Sequence, residues 1–422
     1  MGFFTKKIKY IFDNYGLWGL CKELYFCLIA TPFVLIILIL DPLVKIRLIK
    51  LYSWRIGHFG VNTHLMLCYL KKNKERNKYV RFYYADPFNI SNKQLYKMWK
   101  RAFFILPFRR VCFQIDRLLS ITLKEKYLND PVKQFEYSSG VDDKWGFFCS
   151  IQEPFIKFTT MEIKKGAFLL KKLGIREGSK FVCLLVRDSK YLQTHMNNDG
   201  SFDSYRDADI SNYYEAITLL INRGYYVIRM GKDVHHKLDF SHHLVIDYAN
   251  HTLRSDFLDI YLAANCDLFI STSTGLDCIP RILNKPLLLT NFFLYDLDCE
   301  NYDMFVPKLV KDNKNDRFLT FKEMFLEFNS YKKQGGRYEM FKAWKEKQWS
   351  VAENNSNDIE IAVNDMINSI SKEVNDEENH LEKIFWESFP FDFPASYPAS
   401  YHERTKIRPS HSFLNKYSSL IT

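Results

Sequence analysis

The nine cysteines of this 422-residue chain form no CxxC pair. No zinc-finger spacing is therefore present, and the odd count argues against a disulfide framework. Several of them sit inside apolar runs, which reads as reduced, mostly buried thiols of a reducing compartment. Glycine-rich phosphate loops are missing too. Neither a Walker A loop nor a GxGxxG fingerprint occurs, so the familiar ATP and dinucleotide signatures are excluded. There is no RNA-binding signature and no long Lys/Arg tract. The net charge of +10 thus points away from nucleic acid and toward anionic lipid or phosphate-bearing small molecules. No small-residue cleavage site follows the N-terminal apolar stretch, which argues against a cleavable signal peptide. The only internal repeat is the short "PASYPASY" in a tail rich in Pro, Ser and aromatics.

What remains is a globular composition, 47% hydrophobic and 26% charged, long enough for two or three domains. Aromatics reach 16%, which suits large cores and a membrane-facing surface. From Leu24 to Leu40, "LYFCLIATPFVLIILIL" carries no charge. A spanning helix needs about 20 apolar residues, so the run is at the lower limit. Lys6, Lys7, Lys9 and Lys22 precede it, and Lys45, Arg47 and Lys50 follow it. Basic flanks on both sides keep both ends cytoplasmic, and Pro32 in mid-run is expected to break the helix into two arms. The reading is a monotopic dip into the membrane; a full span and a buried core helix are the alternatives.

Beyond it the chain alternates strand and helix. "LYSWRIGHFG" reads as a strand and a turn, with a helix from about Val61 to Leu70. "KYVRFYYAD" is a strand, and "SNKQLYKMWKRAF" a helix capped by Ser91. In the second half "KFVCLLV", "YYVIRMG", "HLVIDYA", "CDLFIST" and "KPLLLTN" are short apolar strands separated by helical patterns. That pattern predicts a parallel sheet covered on both faces. Ser255 is read as a helix N-cap and Gly224 as a helix stop. The fold class is therefore α/β, two tandem Rossmann-like domains. The expected divisions are a membrane-associating segment 1–50, a first Rossmann-like domain 51–165, a second 166–330, and helices and tail 331–422 packing across the domains.

In a doubly wound sheet, ligands bind outside the carboxyl ends of the strands. Arg187 and Asp188 end one predicted strand. Arg229, Gly231 and Lys232 end the next. Ser271, Thr272, Ser273, Thr274 and Gly275 end a third, just before a helix. A Ser/Thr/Gly turn opening a helix offers N–H groups and hydroxyls to a phosphate, and Arg187 supplies a planar fork that fits phosphate oxygens. Together they make a diphosphate cradle, with Tyr191, Tyr205 and Arg206 in second rank. The bland reading is that Arg187 and Asp188 pair with loop residues and the Ser/Thr run only caps a helix. Asp207, Asp209, Asp296 and Asp298 resemble metal-binding acidic pairs, but Asp207 and Asp209 precede a helix and read as caps. The histidines at 235, 236, 242, 243 and 251 read as a solvated loop. No metal site is assigned. His58, in the turn "RIGHFG", would face a cleft between the domains; it reads either as a general base on an acceptor hydroxyl or as a turn residue hydrogen-bonded to backbone.

These residues occur in a familiar order. "VCLLVRDSKYL", "YRDADISNYYEAITLLINRGYYVIRMGK", "VIDYA", "RSDFLDIYLAANCDLFISTSTGLDCIP" and "IRPSHSFL", with "RIGHFG" and "AENNSNDI", resemble a family of predicted GT-B-type glycosyltransferases from bacterial capsule and O-antigen loci. The resemblance implies a nucleotide-sugar donor held by the second domain, no separate cofactor, and a glycan or lipid-linked glycan acceptor at the inner membrane face. A looser likeness to fucosyltransferase-type enzymes implies that Arg187 contacts the donor diphosphate. Two positions depart from the pattern: Leu185 stands where His is expected, and His64 where an acid is usual, so His58 or His64 would have to replace that acid. A phosphotransferase of polymer precursors and a catalytically silent membrane scaffold are the competing readings.

Overall fold

The computed structural model describes residues 3–73, 79–137, 143, 146–150, 153–188, 190, 193–194, 201–296, 304–371, 380–388 and 407–421. The chain divides into two compact units, Met1–Val141 and Asp142–Thr422.

The first unit opens with α1 (Phe3–Leu40), kinked at Gly16, where φ is 61° and ψ is −164°. Beyond the kink the helix continues unbroken through Pro32, against the expected break. Proline there forgoes one backbone bond, and its ring lies on the exposed side of the helix. β1 (Ile46–Leu51) and β2 (Val80–Ala85) pair in parallel, with Ile46 opposite Val80. α2 (Ile56–Lys72) connects them, and α3 (Lys93–Ala102) and α4 (Arg109–Leu123) follow. The cap of α3 is Asn92, one residue beyond the expected Ser91; its side chain accepts from Leu95 N–H.

Among the described residues this sheet has two strands, with a parallel bridge from Tyr83 of β2 to Ile105 beyond them. Beside β1, where a further strand would pair, Pro131–Glu136 forms a 3-10 turn. Side chains take the place of that strand. Leu48 N–H donates to Tyr127 Oη (3.0 Å), Lys133 Nζ donates to Leu48 O (2.9 Å), and Lys50 N–H donates to Glu136 Oε1 (2.8 Å). The buried backbone groups of the open edge are thereby satisfied. Lys133 also reaches Asp116 and Glu136, each at 3.0 Å.

The second unit holds six parallel strands: β3 (Phe181–Leu185), β4 (Tyr226–Arg229), β5 (Val245–Ile246), β6 (Leu268–Ser271), β7 (Leu287–Phe292) and β8 (Met304–Pro307). Five were expected; β8 was not. Their spatial order is β5-β4-β3-β6-β7-β8. The chain steps outward from β3 in one direction, then returns to place β6 on the other side of β3. This is the doubly wound order, with its switch point between β3 and β6. β3, β4, β6, β7 and β8 are buried along their whole length, as their unbroken apolar runs require.

Helices cover this sheet: α5 (Thr160–Lys172), α6 (Tyr214–Asn222), α7 (Asp256–Asn265) and α8 (Cys278–Ile282). Ser255 caps α7 as expected, accepting from Leu258 N–H, and Gly224, at φ 81°, follows the end of α6. A small antiparallel sheet follows, of β9 (Leu309–Asp312), β10 (Arg317–Phe318) and β11 (Trp349–Ala352). Then comes α9 (Ser356–Ile370), whose cap Asn355 accepts from Asp358 N–H. Near the C-terminus, Phe305 N–H donates to Arg408 O and Ser410 N–H to Phe305 O, both at 2.9 Å, so the tail covers the edge of β8. "PASYPASY" lies outside the described residues.

Candidate functional site

The switch point is built from two strand ends. β3 ends in Arg187-Asp188 after Val186, and β6 in Ser271-Thr272-Ser273. They are tied together: Arg187 N–H donates to Thr272 Oγ1 at 2.9 Å. Arg187 is largely buried, and its Nε lies 3.5 Å from Asp207 Oδ1. The opening of the site is therefore a guanidinium held at the carboxyl end of a central strand, with the Asp207 carboxylate beside it.

The expected cradle divides on inspection. Ser271 Oγ donates to Asp277 Oδ2 (3.1 Å), and Thr274 N–H donates to the same oxygen (2.8 Å). Asp277 in turn lies 3.5 Å from Arg281. Ser273 adopts a left-handed backbone, φ 57°, and its carbonyl accepts from the Arg206 guanidinium. The Ser/Thr run thus serves mainly to close its own turn, with Gly275 opening the 3-10 turn that leads to α8. The Ser271 and Thr272 hydroxyls and the Thr274 N–H are engaged inside the protein.

Arg229 is likewise engaged inside the protein. It is buried at the end of β4 and pairs with Asp247 Oδ1 at 3.1 Å. Asp247 also accepts from Leu238 N–H and Asn250 Nδ2, so Arg229 anchors the histidine-rich loop to the sheet. Lys232 is exposed on the same loop. Asp188 accepts from the backbone N–H of Lys190 (3.0 Å) and His235 (2.9 Å), which shapes the loop. Tyr191 and Asp298 lie outside the described residues. Tyr205 packs against Phe293 and Phe341 and bonds Asp296 and Arg337. Asp209 is the expected cap, accepting from Ser211 N–H. Asp207 is not a cap. Among the described residues, no three His, Cys, Asp or Glu side chains converge as metal ligands.

Two members of the site were invisible in the sequence. Lys308, buried just after β8, donates from Nζ to Asp207 O at 2.7 Å. Burial brings its ammonium down to about 8, against the pull of Glu353 and Asp207. Glu353 accepts from Asp209 N–H at 3.0 Å. Its neighbour Asn354 exchanges two hydrogen bonds with Asn291, at 2.6 and 2.8 Å, which fixes the "AENNSNDI" loop against β7. The cations assembled at the switch point are thus Arg187, Arg206 and Lys308, facing Asp207 and Glu353.

His58 and His64 belong to the first unit. His58 lies in the first turn of α2, not in a loop before it, because the helix starts at Ile56. Its ring packs on Tyr52, centroids 4.5 Å apart, and Nδ1 is 3.4 Å from Asn62 Oδ1. Burial, with nearby Arg55 adding repulsion, pushes it down to about 4. So weak a base takes a proton poorly at neutral pH. His64 is 2% exposed on the inner face of α2, and burial likewise pushes it to about 4. It is a core residue of the first unit.

No family model matches the chain, and no curated protein does. Among solved structures it matches the E. coli ADP-heptose LPS heptosyltransferase II at 13% identity, over 58% of this chain and 84% of that one. The TM-score of that match is 0.33, too low to bear on the function of this chain.

Proposed function

We propose that the chain is a glycosyltransferase of the GT-B type that takes a nucleotide-diphosphate sugar as donor, and that Arg187 binds the donor diphosphate. The observation that carries this reading is the position of Arg187: its backbone bridges β3 to Thr272 of β6, astride the switch point of a doubly wound sheet. Arg206 and Lys308 add positive charge to the same spot. In transfer, negative charge develops on the leaving phosphate, and fixed cations in a water-poor site stabilise it. The resemblance of the sequence to surface-glycan transferases supports the same chemistry.

The acceptor in this reading is a lipid-linked glycan, reached from the cytoplasmic membrane face. Support comes from α1. From Gly16 to Leu40 it is long and apolar enough to cross a membrane, yet it is two-faced in its contacts. Ala30, Val34, Ile37 and Leu38 pack with Ile115, Leu118 and Leu119 of α4. Arg117 of the same helix donates to Cys27 Sγ, and Arg110 lies over the Phe26 ring. Leu24, Leu28, Leu35, Ile36 and Ile39 face outward and are exposed. Lipid cannot surround a helix that is lined on one side by arginine-bearing α4, because buried charge in hydrocarbon is expensive. An exposed apolar stripe of this size still needs cover. In-plane immersion satisfies both.

The test is transfer itself. Purified protein is incubated with a panel of nucleotide sugars and a lipid extract, and the released nucleoside diphosphate and the lipid-borne sugar are measured. One donor should yield both products in equal amount, and R187A should yield neither. Release of nucleotide monophosphate with phosphosugar on the lipid would make the protein a phosphotransferase instead.

A further inference from the structure

The segment Arg206–Asp209 lies across the strand ends like a strap. Ala208 N–H donates to Arg187 O (3.1 Å), and the Arg206 guanidinium donates to Ser273 O. Lys308 Nζ donates to Asp207 O (2.7 Å). Asp209 N–H donates to Glu353 Oε2 (3.0 Å). Three bonds therefore fix the backbone of this segment over the β3–β6 crevice, and a fourth holds its Arg206 side chain. The Asp207 side chain it carries is half-buried and has its Oδ1 3.5 Å from Arg187 Nε.

We propose that Asp207 is an internal counter-anion, whose carboxylate holds the position beside Arg187 that a substrate phosphate takes, so that phosphate and the Asp207–Arg187 pair exclude one another. This rests on the reading of the switch point as a phosphate site. The physical reason is charge balance. A largely buried guanidinium left without an anion carries a heavy desolvation penalty, and Asp207 offsets it while the site is empty. When a phosphate arrives, two anions compete for one guanidinium fork, and like charges at such distances repel strongly. The carboxylate must then turn away or take up a proton. Its setting already favours the second: burial, with help from Asp188, raises its pKa against the pull of Arg187, Lys308 and Arg206. Because the strap is held by its backbone, the Asp207 side chain can swing without the segment lifting. The pair thereby sets a threshold that weak or singly charged anions do not pass.

Calorimetric titration with inorganic pyrophosphate tests this on the full chain, for the wild type, D207N, R187A and the double variant. Removing the competing charge should tighten binding by D207N about tenfold, which corresponds to about 1.4 kcal/mol, and the gain should vanish in the double variant. D207S is measured beside D207N, and melting curves confirm that each variant is folded. Unchanged or weaker binding by folded D207N and D207S would overturn the proposal, and would make Asp207 a residue that positions Arg187 for the ligand. Absence of pyrophosphate binding in the wild type and in every variant would instead remove the phosphate site itself, and both readings with it.

Discussion

His64 shows how far one buried side chain can set the acid stability of its unit. Its imidazole is pushed by burial from the ordinary 6.5 to about 4. In the unfolded chain it binds a proton from about pH 6.5 downward; in the folded unit it resists until about pH 4. Stability is therefore full above pH 6.5 and is lost as pH falls from there through 4. A shift of this size corresponds to about 3 kcal/mol, at 1.36 kcal/mol per pH unit. H64Q keeps a polar group of similar length without the titration. Its melting temperature should fall less than the wild type's between pH 6.5 and pH 4; equal falls would show that His64 does not titrate as its burial dictates. Glu136 works in the other direction. Burial raises it to about 7 even beside Lys133, so its contribution to stability declines as pH rises from about 4.5 to 7. At this scale Arg187 was legible, because a charge directly after five apolar residues marks a strand end. Lys308 and Glu353 were not. Lys308 meets its partner Asp207 across 101 positions of sequence, and Glu353 meets Asp209 across 144, and no local pattern announces such meetings.

Among the elements, α5 depends on a glycine. A Cβ at Gly166 would fall 2.1 Å from the Tyr261 ring of α7. That ring has little room to yield, since it stacks on Phe257 and meets Phe158 edge-on. G166A is expected to destabilise the second unit by about 1–3 kcal/mol, the usual cost of overpacking, seen as a lowered denaturant midpoint. An unchanged midpoint would mean that α5 can shift freely against α7. The strands of the second unit were legible as short unbroken apolar runs. The edge of β1 was not, because whether a strand acquires a further neighbour is decided by tertiary structure. Tyr127, Lys133 and Glu136 finish the edge of β1 with side chains, and they carry no strand or sheet signal of their own. Pro32 misled for a related reason: on the exposed face of a long helix, a proline removes one hydrogen bond without forcing an end.

For the whole molecule, two surfaces define the account: the outward stripe of α1 in the first unit and the strand-end cations of the second. Charging the stripe should detach the protein from membranes without unfolding it, because Leu28 and Ile36 make their exposure on the side away from α4. L28E with I36E is expected to move most of the protein from the vesicle-bound to the free fraction in flotation, with its melting temperature retained. Continued flotation would assign membrane contact to another surface, or none. The central claim is the diphosphate site, and thermal stabilisation by UDP, GDP, CDP, ADP and CMP, for the wild type and R187A, tests it most directly. A nucleotide bound only by the folded state at 100 times its dissociation constant adds about 2.7 kcal/mol. The account predicts a clear upward shift with one nucleoside diphosphate, absent in R187A. No shift with any nucleotide in folded wild-type protein, or an equal shift in R187A, would contradict it.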